Sequence, residues 1–248
     1  MSSPRLRICV YGSSSPNTPS SYTAAARKLG NLLAAKDHIC VNGGGKFGCM
    51  GAVNDGADEA GGEIVGVIHS MFLVDGVEFL DEAALANTRH SLIVCGGADL
   101  TERKAKLVAG CDCIIVLPGG TGTWDEMWEM ACMRNLGLCG KPIIAVSVDG
   151  FYDDFANMLK RASGDKLLAN KPEDIVTFAK TAEEALELAE KQVEKIKIEG
   201  EKAPRLKLKG TGRWWRNALR KIGAAEGFAT GLLVGAIVAS VYSKRHRY

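Results

Sequence analysis

The sequence predicts an α/β fold with a doubly wound, mostly parallel sheet of the Rossmann-like type, followed by a C-terminal transmembrane helix. Short β-branched apolar runs alternate with helix-length amphipathic segments, a pattern typical of parallel βαβ units. Glycine-rich loops follow several of these runs, where open α/β sheets bind ligands. A late apolar segment, 222–242, has Glu226 as its single charge. As a helix it would be about 31 Å long, enough to cross a bilayer.

Strands and helices are predicted in strict alternation along the body of the chain. Seven apolar runs predict strands at 6–11, 38–42, 64–68, 91–95, 113–117, 143–148 and 174–178. Helices are predicted over 20–36, from the loop at 43–51 to residue 60, from residue 100, from the motif after the fifth strand to residue 136, and over 151–161 and 181–198. The last helix begins with a Thr-x-x-Glu capping box, Thr181 with Glu184. Residues 72–87 are irregular, which suits a lid or a subunit contact.

The motif loop, residues 117–123, follows the fifth strand and leads into a helix in the sequence LPGGTGTWDEMWE. Its three glycines let the backbone turn sharply with free N–H groups: Gly119, Gly120 and Gly122. Thr123 is predicted to cap the helix while its hydroxyl faces a bound anion. Glu126, one helical turn on, brings a carboxylate beside the sugar of a phosphorylated ligand. The segment therefore predicts a phosphate site with a carboxylate next to it.

Two earlier loops follow predicted strands and lie at the same edge of the sheet. Ser14 lies in the Gly-Ser-Ser-Ser loop after the first strand and either caps the next helix or contacts the ligand. After the second strand, Gly43-x-Gly45-x-x-Gly48 matches the dinucleotide fingerprint, but no acidic residue ends the following strand. We interpret this loop, with Gly44 and Gly45, as a close approach of backbone to a mononucleotide. A dinucleotide-binding oxidoreductase is the alternative.

Two cations open the predicted third helix, which begins at residue 100. Arg103 and Lys104 oppose the helix dipole at that place, and a nearby anion would explain them. The alternative is a pair of solvated surface charges.

The composition is typical of an ordinary globular protein. The chain has 248 residues, 46% hydrophobic and 24% charged, and its net charge of +2 supports no nucleic-acid partner. Eight cysteines without a CxxC pair predict buried free thiols and a reducing compartment. Cys111 and Cys113 are predicted to share a face, without a metal site. The first strand begins too early to leave room for a signal peptide.

The C-terminal region has a different character from the body. We predict a nucleotide-binding catalytic domain over 1–198, a basic linker over 199–221, a transmembrane tail anchor over 222–242 and a basic tail over 243–248. Small residues recur at every fourth position in the apolar segment: Gly223, Gly227, Gly231, Gly235 and Ala239. This arrangement predicts a cytosolic catalytic domain tail-anchored to an organelle membrane, the mitochondrial outer membrane or the peroxisome. A core helix of a soluble protein is the alternative.

The motifs Glu102-Arg103-Lys104 and Pro-Gly-Gly-Thr-Gly-Thr-Trp-Asp-Glu at 118–126 resemble the LONELY GUY family, also labelled "lysine decarboxylase-like". The resemblance covers residues 6–195. It implies a homodimeric cytokinin riboside 5′-monophosphate phosphoribohydrolase without cofactor or metal, which hydrolyses an N6-modified AMP to free base and ribose 5-phosphate. Arg103 and Glu126 are then the catalytic pair. The implied substrate and phosphate contacts are Gly119, Gly120, Gly122, Thr123, Lys104, Gly44, Gly45 and Ser14.

The sequence departs from the family pattern near the motif. Thr121 stands where the family often has Tyr, and Trp124-Asp125 replaces the usual Leu-Glu. These positions affect which base is recognised more than the chemistry of the reaction. Unmodified AMP or another nucleoside monophosphate is therefore an alternative substrate. A non-catalytic carrier of a phosphorylated cofactor, such as molybdenum cofactor, is the alternative function.

Overall fold

The computed structural model describes residues 4–73 and 89–200, with Gly200 in its backbone only. All of these residues belong to one compact unit, Met1–Glu201. Most of the irregular segment predicted at 72–87 lies outside the described residues.

The described sheet has seven strands that all pair in parallel. They are β1 Arg7–Tyr11, β2 Ile39–Asn42, β3 Glu63–His69, β4 His90–Cys95, β5 Cys113–Val116, β6 Ile143–Val146 and β7 Thr177–Ala179. Their spatial order is β4-β3-β2-β1-β5-β6-β7. The predicted doubly wound parallel α/β fold is confirmed. Because the order reverses between β1 and β5, a crevice is expected at the carboxyl ends of those two strands.

Helices cover both faces of the sheet. They are α1 Ser20–Ala35, α2 Gly48–Glu59, α3 Thr101–Val108, α4 Thr121–Asn135, α5 Asp153–Gly164, α6 Pro172–Ile175 and α7 Ala182–Gly200. The predicted strand at 174–178 is wrong in its first half, which is the helical turn α6. Proline at the first helical position and two acidic residues after it favour that turn. The capping hydrogen bond of α7 is confirmed, since the Glu184 N–H donates to Thr181 Oγ1 at 3.2 Å.

Two hydrophobic cores lie on opposite faces because successive strand residues point to opposite sides. Helices α1, α2 and α7 pack over one core, and α3 to α6 pack over the other. Cys113 belongs to the first and Cys111 to the second, so the prediction that they share a face is wrong. Cys111 precedes β5 and follows Gly110, whose φ is 68°, so the two-residue period of the strand does not extend to it. Six cysteines are buried, whereas Cys132 is exposed and Cys139 half-buried.

One part of the predicted fold class, the transmembrane helix, is not supported by the structure. Among residues 4–73 and 89–200, no helix is long and apolar enough to cross a membrane. The longest of them, α7, has 19 residues but carries charges on every turn. The predicted span 222–242 lies outside the described residues, as does the basic tail 243–248. The fold class of the described residues is α/β, and the predicted anchoring to an organelle membrane is not retained.

Candidate functional site

A cavity of about 350 Å³ lies at the carboxyl ends of the strands. Loops after β1, β2 and β5 contribute to its wall, so it includes the crevice expected where the strand order reverses. Its lining residues are Gly12, Ser13, Ser14, Ser15, Gly43, Gly45, Met50, Ile68, Phe72, Leu100, Arg103, Gly120, Thr121, Gly122, Thr123 and Glu126.

Backbone hydrogen bonds connect the loops that form the polar wall. The Ser13 N–H donates to the carbonyl of Pro118 at 3.0 Å, and the Met50 N–H donates to the carbonyl of Ser13 at 3.0 Å. Gly119 makes the first contact possible, because a Cβ there would lie 2.9 Å from the Ser13 nitrogen and 2.7 Å from Thr123 Cβ. The loops after β1, β2 and β5 are thus held in one arrangement before any ligand binds.

Helix α4 begins at the cavity without a side-chain cap. Its N-cap residue is Gly120, and Thr123 lies in the first turn, where it is buried. The prediction that Thr123 caps the helix is therefore wrong, because the glycine preceding the first turn already takes that position. The first N–H groups of a helix have no intrahelical acceptor, and the helix dipole adds positive potential there. Residues 120–123 line the cavity, so this end of α4 can bind a phosphate group.

Arg103 and Glu126 form an ion pair that faces the cavity. Arg103 Nη1 donates to Glu126 Oε1 at 3.0 Å, and Arg103 Nε donates to the carbonyl of Val67 at 3.1 Å. The two side chains are 11% and 13% exposed, so water screens their interaction only weakly. Burial raises the pKa of Glu126, and the Arg103 charge opposes that rise. The pair places a shielded carboxylate and a fixed guanidinium at one position in the cavity wall.

Seven of the ten predicted site residues line the cavity: Ser14, Gly45, Arg103, Gly120, Gly122, Thr123 and Glu126. The other three lie beside it. Gly119 supports the motif loop, and Gly44 turns away at a φ of 73° with its N–H donating to Asn42 Oδ1. Lys104 Nζ lies 3.1 Å from Asp125 Oδ2 and 2.9 Å from Glu129 Oε2, so it links α3 to α4.

The apolar wall of the cavity was not predicted from the sequence. Met50, Ile68, Phe72 and Leu100 line the cavity together. Ile68 belongs to β3, and Leu100 follows β4, so both are on the side of the sheet away from the motif loop. A usable signal existed, since apolar residues at the carboxyl ends of two adjacent parallel strands lie at one edge. The cavity thus combines glycine-rich loops and the start of a helix with an apolar wall.

Fold and site together define an α/β protein with a cavity at the carboxyl ends of its parallel strands and a carboxylate–guanidinium pair in the cavity wall. A family profile described as "Possible lysine decarboxylase" matches residues 50–189. The chain is 32% identical over 184 residues to cytokinin riboside 5′-monophosphate phosphoribohydrolase LOG5 of Arabidopsis thaliana, covering 74% of this chain and 77% of that protein. It is 32% identical over 194 residues to LOG of Oryza sativa subsp. japonica, covering 77% and 76%. This chain belongs to the LONELY GUY family.

Solved structures resemble the fold. The molybdenum cofactor binding protein from Rippkaea orientalis superposes with a TM-score of 0.54 at 20% identity, covering 75% of this chain and 95% of that one. The Moco carrier protein of Chlamydomonas gives 0.51 at 21% identity, covering 77% and 99%. At these identities the likeness shows the shared fold alone.

The residues do not fit the pyridoxal phosphate chemistry that the profile's description suggests. Such an enzyme needs a lysine amine in the cavity, and no lysine is among the described lining residues. Lys104 is paired with two carboxylates, and Lys46 Nζ lies over the Phe47 ring. The described residues also contain no group of three or more His, Cys, Asp or Glu side chains suited to a metal ion.

Proposed function

We propose that this protein is a nucleoside 5′-monophosphate phosphoribohydrolase that releases a cytokinin base and ribose 5-phosphate from an N6-modified AMP. The observation that carries the proposal is the shielded Arg103–Glu126 pair beside the start of α4, where no side chain caps the helix. Relatives that share about a third of their residues with this chain are named for that reaction. By the same resemblance we propose a homodimer, for which light scattering on the purified chain would have to give twice the monomer mass.

The proposed binding mode uses the two chemically different parts of the cavity. The 5′-phosphate binds at the N–H groups of residues 120–123 with Ser14 nearby. The base then extends toward the apolar wall of Met50, Ile68, Phe72 and Leu100, which suits an apolar N6 substituent. The ribose lies between them, within reach of Glu126.

The proposed reaction breaks the C1′–N9 bond and adds water to C1′. Positive charge develops on the ribose as the bond lengthens, and the ionised Glu126 carboxylate stabilises that charge and orients the attacking water. The departing base takes up a proton, and water supplies the hydroxyl of ribose 5-phosphate. Arg103 fixes the carboxylate through Nη1 and offsets the negative charge collected from carboxylate and phosphate.

The test uses the full chain with isopentenyladenosine 5′-monophosphate and with AMP, following free base and ribose 5-phosphate by chromatography. We expect cleavage by the wild type and a loss on the order of 1000-fold in kcat for Glu126→Gln, because the charge that stabilises the transition state is gone. Glu129→Gln, one turn further along α4, is the matched control, and its kcat should stay within about threefold. A fully active Glu126→Gln would refute the assigned role.

The same assay separates the enzyme from a cofactor carrier. A carrier needs the phosphate-binding loops but has no use for a shielded carboxylate beside the sugar. Binding of both nucleotides without cleavage of either would favour the carrier. The ratio of the two cleavage rates decides between a cytokinin precursor and unmodified AMP as the preferred substrate.

A further inference from the structure

Gly43, the first residue after β2, lies directly against the tip of Arg103. A Cβ built on Gly43 would overlap Arg103 Nη2 and would lie 2.7 Å from Met50 Sδ. The backbone does not require glycine here, because Gly43 is outside the left-handed region, whereas the adjacent Gly44 has a φ of 73°. Glycine is therefore required at this position for steric reasons, because Arg103 and Met50 occupy the space that a side chain would need.

We propose that Gly43 is a positioning residue for Arg103, whose guanidinium rests on the bare α-carbon and is thereby directed at Glu126. The catalytic meaning of this contact rests on the proposed function. The contact itself is independent of it.

The guanidinium is held at three nitrogens. Nε donates to the carbonyl of Val67, Nη1 donates to Glu126, and Nη2 lies over Gly43. Because the group is planar and rigid, a displacement at Nη2 also moves Nη1 away from the carboxylate. Gly43 thus limits how far Arg103 can move within the wall of the cavity.

The neighbours of Gly43 indicate how a Gly43→Ala chain would adapt. The nearest atoms to the added Cβ are the ends of two flexible side chains, Arg103 and Met50, rather than backbone. The backbone can therefore keep its fold while the guanidinium shifts. Gly45 differs, because a Cβ there would lie 3.5 Å from Met50 in ordinary contact.

A double-mutant cycle of Gly43→Ala with Arg103→Lys tests the proposal. We expect Gly43→Ala to lower kcat about tenfold to hundredfold in the wild-type background. In the Arg103→Lys background it should cost less than about threefold, because lysine has no second terminal nitrogen over Gly43. Equal losses in both backgrounds would overturn the proposal. Gly45→Ala, a change in the same cavity wall, should raise KM more than it lowers kcat.

A second readout does not depend on activity. The carboxyl ¹³C signal of Glu126 is titrated by NMR in the wild type and in Gly43→Ala. Arg103 opposes the effect of burial on the pKa of Glu126, so a displaced guanidinium should let that pKa rise further. An unchanged pKa overturns the proposal. If the wild type cleaves no nucleotide, the proposed function fails, while this titration still tests Gly43.

Thermal unfolding covers the case of an unstable variant. If Gly43→Ala unfolds at assay temperature, the double variant with Arg103→Lys should regain part of its stability, because Arg103 Nη2, the closest overlapping atom, is gone and only the contact with Met50 Sδ remains. A double variant that is equally unstable would assign the loss to the loop and contradict a role in positioning Arg103.

Discussion

Glycines serve opposite purposes in two regions of the molecule, the contact between α1 and α2 and the motif loop. In the helix contact, a Cβ on Gly30 would overlap the carbonyl oxygen of Val53, and one on Gly56 would overlap the carbonyl oxygen of Arg27. In the motif loop, a Cβ on Gly120 or Gly122 would meet nothing within 4 Å. In the helix contact the space is filled by the protein's own backbone, whereas Gly120 and Gly122, unlike Gly119 in the same loop, face open space.

The difference shows how to separate structural from functional glycines. A glycine whose missing Cβ position is already occupied by backbone allows close packing, and its replacement should mainly change stability. A glycine beside open space in a cavity wall leaves room for a ligand, and its replacement should mainly change binding. Sequence alone does not distinguish the two, since all of these positions are simply glycine.

The largest expected effect is on stability, from Gly30→Ala. The added methyl group must separate two helices at a backbone contact, so the free energy of unfolding should fall by about 3 kcal/mol. Urea denaturation measures it. Gly164→Ala, at the last residue of α5 with open space around its Cβ position, is the control and should change it by less than about 0.5 kcal/mol. Similar losses in both variants would break the comparison.

A smaller effect, on ligand binding rather than on stability, is expected from Gly122→Ala. This residue is in the first turn of α4, so alanine should leave stability unchanged or raise it by up to about 1 kcal/mol. Binding of the phosphate group should weaken about tenfold, because a methyl group enters the space proposed for the anion. Inhibition of the reaction by inorganic phosphate measures this change. A stability loss with unchanged phosphate affinity would contradict an open, ligand-facing role.

Two carboxylates, Glu126 in the cavity wall and Glu190 on α7, also differ in how their surroundings change the pKa. Burial raises the pKa of Glu126 in the cavity wall despite the Arg103 charge. Burial also acts on Glu190 of α7, but hydrogen bonds from Lys36 at 2.6 Å and His38 at 3.0 Å outweigh it and lower the pKa. One carboxylate is held in a cavity where its charge is costly, and the other is fully partnered within the fold.

The smallest expected effect is the pH dependence of the Glu190 contribution. A carboxyl whose pKa is lower in the folded state adds stability above its ordinary pKa, 4.5 for Glu, and that stability is lost as the pH falls through the folded-state value. Glu190→Gln should therefore cost about 1 kcal/mol at pH 7 and progressively less in acid. Urea denaturation across this range measures it, with Glu194→Gln, an exposed change on the same helix, as the control. A cost independent of pH would contradict the ionic origin.

Local pattern determined most of the secondary structure. The β-branched runs gave the strands β1 to β6 to within about two residues, because burial on both faces of a parallel sheet demands such residues. The motif helix, the capping box of α7 and the position of Arg103 at the start of α3 also follow from spacing along the chain. The resemblance of the motifs to the family indicated Arg103 and Glu126 as the proposed catalytic pair, and the two side chains do contact each other. The membrane helix predicted from the apolarity of 222–242, by contrast, is not supported, since no helix in the described part of the chain is long and apolar enough to cross a membrane.

Tertiary structure decided which of these local features meet. Arg103 and Glu126 are on different helices, 23 residues apart. They meet because α3 and α4 pack on the same face of the sheet and both begin at the edge where the parallel strands end. The proposed roles of Gly43 and of the apolar wall likewise depend on atoms from distant segments. Periodicity reports the environment of a residue within its own element, whereas strand order and side-chain reach depend on how the elements pack. The sequence therefore determined the elements and the candidate site residues, and only the packed fold decided which of them lie together.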